Sequence, residues 1–306
     1  MKKFLNRYIT GLALAICFLG CEKMEVSDVD FDVILQTGTY KAGDSVRFSL
    51  SGNPDHISFY SGKPGNNYDA IATQVLDNKV TFSFDSRMSN AGQANQLQVL
   101  TSTNFSGTNN IDAVKAANWE DLTSKFTLPG VSTTFSPSGS ADITSTIKNH
   151  QPFYIAIKYT VKPFAESGAW AKWELNNFLY KITNSKEEKT PLDLNLQTSW
   201  AAVLSANYET FRVSIGTAGI VFQGNATNVA ENHEAWFVSK VTYPYTSTSY
   251  APDKAVAIKI VPQPARTSYA AAYDTPGSYQ VVFVAKNVKG NQEKELVKRL
   301  TVKIEP

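Results

Sequence analysis

Three tyrosines lie close together in TYPYTSTSYAP, residues 242–252, a segment otherwise rich in Pro, Thr and Ser. An aromatic ring on a surface can stack on the C–H face of a sugar, and nearby polar groups can bind its hydroxyls. Tyr243, Tyr245 and Tyr250 are therefore candidate ligand-binding residues. The alternative interpretation, a hydrophobic hinge at a domain junction, stays open at this point.

Two tryptophans offer the same chemistry. Trp170 ends the Gly/Ser-containing stretch FAESGAW, 164–170, where nothing in the pattern requires the ring to be buried, and it is the strongest tryptophan candidate. Trp173 begins the next apolar run. It is kept as a candidate, although a core position is the stronger interpretation. The other tryptophans, Trp119, Trp200 and Trp236, lie in apolar periodic stretches and are predicted to be core residues.

Cys21 is a candidate for covalent modification. It follows a basic n-region and a short apolar run, the pattern of a signal peptide over residues 1–20. Leu19-Gly20-Cys21 resembles a lipobox, which implies that the Cys21 thiol is acylated and becomes the mature N-terminus. A plain secretory signal cleaved elsewhere is the alternative. Cys17 would be removed with the signal, so no internal disulfide is expected.

Motifs for catalysis and metal binding are missing from the sequence. The three histidines, His56, His150 and His233, stand apart, and no zinc, nucleophile-elbow or phosphate-loop motif occurs. An aspartate run beginning at Asp28 starts like a calcium loop but lacks its glycine and its glutamate. No cofactor is predicted, while a structural calcium ion held by backbone carbonyls stays open, as does an enzyme whose carboxylates come from separate strands.

The charge balance argues against nucleic acid as a partner. Residues 1–20 contain three of the 29 basic residues and none of the 27 acidic residues, which leaves 26 against 27, a net charge of −1. No Lys/Arg run forms a phosphate-binding stripe. The apparent basicity of the chain is therefore a property of its targeting segment.

Positioning these residues is the task of a predicted all-β scaffold. Runs such as SVRFSLSG, PFYIAIKYTV and SYQVVFVAKN recur at intervals of about ten residues, separated by turn formers, as in sandwiches and jelly rolls. Short helices are predicted within 109–122 and 199–207. Residues 21–30 are predicted to be a tether, residues 31–78 and 242–306 two halves of one domain, and residues 79–241 an inserted domain.

Several segments carry resemblances to known families. TYKAGDSVRFSLSG and TPGSYQVVFVAKN each resemble part of an immunoglobulin-like domain of the polycystic-kidney-disease (PKD) type. ANWEDLTSKFTL, SPSGSADIT, PFYIAIKYT and WELNNF resemble a jelly roll of the galactose-binding-like kind. In this order the segments resemble domain-of-unknown-function family 5017 (DUF5017).

The DUF5017 resemblance implies a surface lipoprotein encoded beside an outer-membrane glycan-uptake complex, and it supplies no catalytic residues. We therefore expect a non-enzymatic, lipid-anchored protein of the outer membrane, facing the cell surface. Its expected partners are a polysaccharide or oligosaccharide, an outer-membrane transporter complex and, through its lipid, the membrane. The alternatives are a structural or adhesion protein that contacts a transporter component, and a glycan-active enzyme.

Overall fold

The structure is a computed structural model that describes residues 25–90, 92–206, 208–224 and 230–306, without the side chains of residues 166, 167 and 211. The strands are, in chain order, β1 (Phe31–Leu35), β2 (Tyr40–Lys41), β3 (Ser45–Gly52), β4 (His56–Tyr60), β5 (Gln74–Asp77), β6 (Lys79–Ser89), β7 (Leu97–Ser102), β8 (Glu120–Asp121), β9 (Ser136–Asp142), β10 (Tyr154–Val161), β11 (Lys172–Thr183), β12 (Glu188–Lys189), β13 (Trp200–Leu204), β14 (Val213–Gly216), β15 (Gly219–Phe222), β16 (His233–Ser239), β17 (Ser247–Tyr250), β18 (Val256–Lys259), β19 (Ser268–Ala272), β20 (Gly277–Lys289) and β21 (Gln292–Glu305). The α-helices are α1 (Ile111–Ala116) and α2 (Phe164–Ser167), and 3₁₀ turns lie at Tyr68–Ala70, Thr123–Lys125, Thr144–Thr146, Gln197–Ser199 and Thr210–Arg212. The predicted all-β class is confirmed.

The chain divides into two compact units. Unit 1 comprises Met1–Gln74 and Tyr250–Pro306, and unit 2 comprises Val75–Ser249. The sequence-based division placed the boundaries at 78/79 and 241/242. Strands β5 and β17, where the chain passes from one unit to the other, pair with each other.

Unit 1 is a sandwich of two sheets with strand orders β1-β3-β19 and β18-β4-β20-β21-β2. Its core forms because alternate residues of each strand face inward, as in β3, where Val46, Phe48 and Leu50 are buried. Phe48 packs edge-on against Phe283 with ring centroids 5.1 Å apart. Apolar alternation in the sequence thus builds this unit.

Only part of the predicted tether, from Glu25 onward, lies within the described residues, and it is held against unit 1. The Val26 side chain is buried. The Asn287 amide donates to the carbonyl oxygens of Ser27 and Asp28, and Lys294 pairs with the Asp28 carboxylate at 2.6 Å. Residues 26–28 are therefore docked on unit 1 ahead of β1.

Unit 2 is a larger sandwich. The first sheet, called the β10 sheet, has the order β13-β16-β10-β7-β8; the second, called the β11 sheet, has the order β14-β15-β11-β6-β9, with β12 paired to β11. Alternate residues of β10, including Ile155, Ile157 and Tyr159, lie in the core between these sheets. The intervening residues of β10 face the other side, where Tyr154 and Ala156 enter a second apolar cluster.

That second cluster exists because the chain between β7 and β8, with helix α1, crosses the outer face of the β10 sheet. Val114 of α1 and Phe105 are buried there. The Phe105 ring packs edge-on against Tyr154, with centroids 5.0 Å apart, and at a tilt against Trp119, with centroids 5.6 Å apart. This crossing segment forms one wall of the groove described below.

One predicted helix is wrong. Residues 199–207 contain β13, which pairs antiparallel with β16 from Trp200 opposite Ser239 to Leu204 opposite Ala235. Trp200 lies in the core between the sheets while Val203 lies in the outer cluster, as alternation along a strand requires. The prediction within 109–122 is confirmed in shortened form as α1, which the Asn110 side chain caps.

Candidate functional site

The predicted tyrosines differ in exposure. Tyr243 is 58% exposed. Tyr245 is half-buried against the unit 2 core, and its ring stacks on His150 at 5.6 Å with the Lys189 ammonium 5.8 Å from its centre. Tyr250 is half-buried in β17. Of the three, Tyr243 presents the ring area that stacking on a ligand needs.

The predicted tryptophans are also unlike one another. Trp173 is buried in the core between the two sheets of unit 2, so its ring is not available at the surface to stack on a ligand. Trp170 is half-buried and lies directly over Gly224, where an added Cβ would come within 2.2 Å of the ring. The Arg212 guanidinium lies 6.0 Å from the ring centre. Trp170 thus remains a candidate with part of its ring surface covered.

A buried amide network holds the segment that carries Trp170. The Gln93 side chain donates to the carbonyl oxygens of Lys162 and Gly168, and the Ala171 amide donates to Gln96. This segment follows the C-terminal end of β10, whereas Tyr243 lies beside the opposite end, where Thr242 forms a backbone bridge to Phe153. The structure therefore does not bring Trp170 and Tyr243 together.

A groove of about 330 Å³, called here the Tyr154 groove, lies at the N-terminal end of β10 and is lined as far along the chain as Val241. Tyr243 is not among its lining residues, but it is close enough to Tyr154 to contribute to the raised pKa of that phenol. It is lined by Gly107, Asn109, Tyr154, Thr198, Trp200, Ala201, Val238, Ser239, Lys240 and Val241. All of these residues belong to unit 2. The pairing of strands brings them to one end of the β10 sheet, because β10 and β13 begin there and β16 ends there.

Two backbone contacts fix this end of the sheet. The Lys240 amide donates to the Ser199 carbonyl at 2.8 Å, which places the residue after β16 beside the turn before β13. The Phe153 and Thr242 backbones exchange hydrogen bonds of 2.9 and 3.0 Å. The groove is thus formed by ladder ends, which hold side chains more firmly than free loops do.

The hydroxyl of Tyr154 is unusual for a buried tyrosine. Tyr154 is 8% exposed, yet its hydroxyl has no hydrogen-bond partner within the part of the chain that the structure describes. The hydroxyls of Tyr159, Tyr180, Tyr208 and Tyr273 all have protein partners. Because buried polar groups are normally paired, an open phenol facing a groove indicates a position for water or a ligand.

Three further polar side chains at the groove also lack a protein partner among the described residues. The side chains of Asn109, Thr198 and Lys240 have no hydrogen bond or ion pair with any residue that the structure describes. Together with Tyr154 they offer hydroxyl, amide and ammonium groups around one concavity. Such convergence of a few polar groups on a partly apolar wall is typical of small-molecule sites.

Glycine at position 107 keeps the Tyr154 hydroxyl accessible. Gly107 has a φ of +80°, and a Cβ there would lie 3.0 Å from the phenol oxygen. Any other residue would therefore both strain the backbone and crowd the hydroxyl. Burial, with a smaller contribution from Tyr243, raises the pKa of Tyr154 above its ordinary value. The phenol is accordingly a neutral hydrogen-bond donor at physiological pH.

A bidentate ion pair lies on the β11 sheet. The Arg87 guanidinium donates to both carboxylate oxygens of Glu174 at 2.8 and 2.9 Å and stacks on the Phe135 ring. This contact, followed by one from Lys172, lowers the pKa of Glu174 despite its burial. Arg87 and Glu174 satisfy each other's hydrogen bonds, which indicates a structural role for this pair.

The remaining predictions concern the lipid site, a metal ion and the membrane. Cys21 lies outside the described residues. Within the described ranges, no group of three or more His, Cys, Asp or Glu side chains is arranged to hold a metal ion. A helix long and apolar enough to cross a membrane is also not found among them.

Sequence reasoning missed most of the groove. Tyr154 lies within PFYIAIKYTV, which predicts a strand but not which hydroxyl lacks a partner. Asn109, Thr198 and Lys240 lie in turns or at a strand end, more than forty residues apart along the chain. A usable signal was Gly107 in the turn SGTNN, because a glycine between polar residues marks a site of close approach.

Comparison with known proteins gives one match. The family model described as "Domain of unknown function (DUF5017)" matches residues 20–202, more than half of the chain. No match was found among curated proteins or among solved structures. The matched region includes Gly107, Asn109, Tyr154 and Thr198.

Proposed function

Since the chain belongs to the DUF5017 family, we propose that it binds polysaccharide without catalysis at the Tyr154 groove, as a lipid-anchored protein of the cell surface. Cys21 carries the lipid in this proposal, and the bound glycan is held for an outer-membrane uptake system. The sequence resemblance suggested this role, and the groove supplies a place for it.

The observation that supports binding is the set of open polar side chains beside an exposed ring. Tyr243 offers a face for the C–H side of a pyranose, while Tyr154, Asn109 and Thr198 offer donors and acceptors for its hydroxyls. A volume of about 330 Å³ lies at the small end of the range for ligand sites, which suits one or two sugar units.

The groove does not resemble a glycosidase site. Glycoside hydrolysis uses a pair of carboxylates on either side of the bond that is cut. None of the described residues that line the groove is an aspartate or a glutamate. A shallow site without chemistry binds weakly, but anchoring many copies to one surface raises the effective concentration for a long polymer.

Gel retardation of residues 22–306 on a panel of plant, mucosal and microbial polysaccharides tests the proposal, with and without calcium. We expect Tyr243→Ala to abolish the retardation that the wild type shows. Phe164→Ala is the matched control, because Phe164 is 54% exposed and follows the C-terminal end of β10, whereas the groove lies at the N-terminal end.

Other outcomes would point to the alternatives. Loss of binding in Trp170→Ala or Phe164→Ala, with Tyr243→Ala unchanged, would move the site to the Trp170 segment. No retardation by any polysaccharide would favour the protein-contact role, which a pull-down with transporter components would then examine. Release of reducing ends during incubation would indicate an enzyme.

The lipid anchor has its own test. Cells that express the full chain are grown with an alkyne-labelled fatty acid, and the wild type is expected to take up label that Cys21→Ser does not. External protease should then degrade the wild-type protein on intact cells. Equal labelling of both forms would contradict acylation at Cys21.

A further inference from the structure

The charge of the Tyr154 groove is carried by one residue. Among the described residues that line it, Lys240 is the one with a formally charged side chain, and that side chain is exposed. Its ammonium has no ion pair within the described ranges. Some lysines of unit 2 are paired instead, as Lys158 is with Glu234 at 2.8 Å and Lys189 with Glu187 at 2.9 Å.

The groups around Lys240 favour the same kind of ligand. The Tyr154 phenol can donate a hydrogen bond, and its raised pKa keeps the proton in place. Asn109 adds an amide donor, and Thr198 adds a hydroxyl. Hydrogen bonds from such donors to an ionised acceptor are shorter and stronger than those to a neutral one. As far as the described residues define it, the groove thus combines one unpaired positive charge with several donors and has no carboxylate in its lining.

We infer that the Tyr154 groove takes an anionic glycan, with Lys240 paired to a carboxylate or sulfate group of the sugar. This inference rests on the proposed function and specifies its substrate class. Tyr243 stacks on the ring of the same or the adjacent sugar, and Tyr154 donates to the anionic group or to a neighbouring hydroxyl. A neutral glycan leaves the ammonium unpaired and binds more weakly.

Matched polymers separate charge from backbone in the test. Polygalacturonate is compared with its fully methyl-esterified form, and dextran sulfate with dextran, by gel retardation and by titration calorimetry at low salt. The first pair tests a carboxylate and the second a sulfate. Lys240→Gln removes the charge at the groove. Lys303→Gln is the control, because Lys303 is exposed, has no ion pair within the described ranges and lies on β21 of unit 1.

We expect the wild type to prefer the charged member of at least one pair. Lys240→Gln should weaken that binding about fivefold, the effect of one partly exposed ion pair, and Lys303→Gln should not. Raising the ionic strength should reduce the difference between wild type and Lys240→Gln, because salt screens exposed charges.

Two results would overturn the inference and leave the proposed function standing: equal retention of charged and neutral polymers, or charged-polymer binding that Lys240→Gln does not change. Failure of the proposed function looks different. In that case the wild type retains neither member of either pair and none of the wider panel, and both proposals fall together.

Discussion

Replacing Tyr154 by phenylalanine isolates the hydroxyl on which the groove depends. The hydroxyl has no partner within the described ranges, so its removal breaks no protein hydrogen bond. Tyr159, five residues along the same strand, is the matched comparison. Its hydroxyl donates to the Ala171 carbonyl at 2.6 Å and accepts from the Gln96 amide at 3.1 Å.

The expected costs follow from these contacts. Tyr159→Phe removes the hydroxyl that donates to the buried Ala171 carbonyl, and loss of this donor costs about 1–3 kcal/mol in the free energy of unfolding. Tyr154→Phe should change the unfolding free energy by no more than about 0.5 kcal/mol. It should nevertheless weaken glycan binding about two- to tenfold, the range for one neutral hydrogen bond.

Tryptophan fluorescence suits this measurement because all five tryptophans of the chain lie in unit 2. Urea unfolding followed at this signal reports the unit that contains both tyrosines, and linear extrapolation gives the two free-energy changes. If Tyr154→Phe destabilised unit 2 as much as Tyr159→Phe, the Tyr154 hydroxyl would have a protein partner. The reasoning that makes the groove a ligand site would then be refuted.

Three further predictions concern single residues of unit 2. Gly107→Ala should abolish glycan binding, because a Cβ at 107 would lie 3.0 Å from the Tyr154 hydroxyl. Gly139→Ala should leave binding unchanged, because a Cβ at 139 meets nothing within 4 Å. Both glycines have a φ near +90°, so both substitutions should lower the free energy of unfolding by about 1 kcal/mol, measured by urea unfolding. Because its pKa is lowered, Glu174 stabilises the fold at pH values above its unfolded-state pKa of about 4.3, and this stabilisation is lost as pH falls through the folded-state pKa. Glu174→Gln, which weakens the pair with Arg87, should therefore lose less stability than the wild type between pH 5 and pH 2. An equal loss of stability in both proteins over this pH range would contradict the assignment. Burial raises the pKa of Tyr180 to about 12, so the folded state keeps a proton that the unfolded state releases near pH 10. The free energy of unfolding should therefore fall as pH rises above about 10, and it should fall less steeply in Tyr180→Phe than in the wild type. The same pH dependence in both proteins would contradict this prediction.

The sequence predicted the scaffold well because strand formation depends on a local pattern. Alternation in SVRFSLSG and PFYIAIKYTV places every second side chain in a core, and the structure follows it. The prediction fails at SWAAVLSAN, where alanines favour a helix locally. Pairing with β16 overrides that preference, as tertiary context commonly does in short segments.

The site was less accessible to sequence reasoning. Tyr243 was identified because its neighbours are turn formers, and its exposure agrees with that argument. Tyr154 could not be identified, since an open hydroxyl and a paired one look alike in sequence. The difference arises only when Gly107 and the ends of β13 and β16 meet around it, which depends on long-range pairing.

The docked N-terminal segment limits the reach of the protein. Val26 is buried and the backbone after it is bound to Asn287, and Cys21, the proposed site of acylation, precedes Val26 by five peptide steps. Fully extended, those steps span at most about 17 Å. A lipid at Cys21 would therefore keep unit 1 close to the bilayer. Glycan binding would then depend on long polymers diffusing to a membrane surface that carries many copies of the protein, because each copy could extend only a short distance from the membrane.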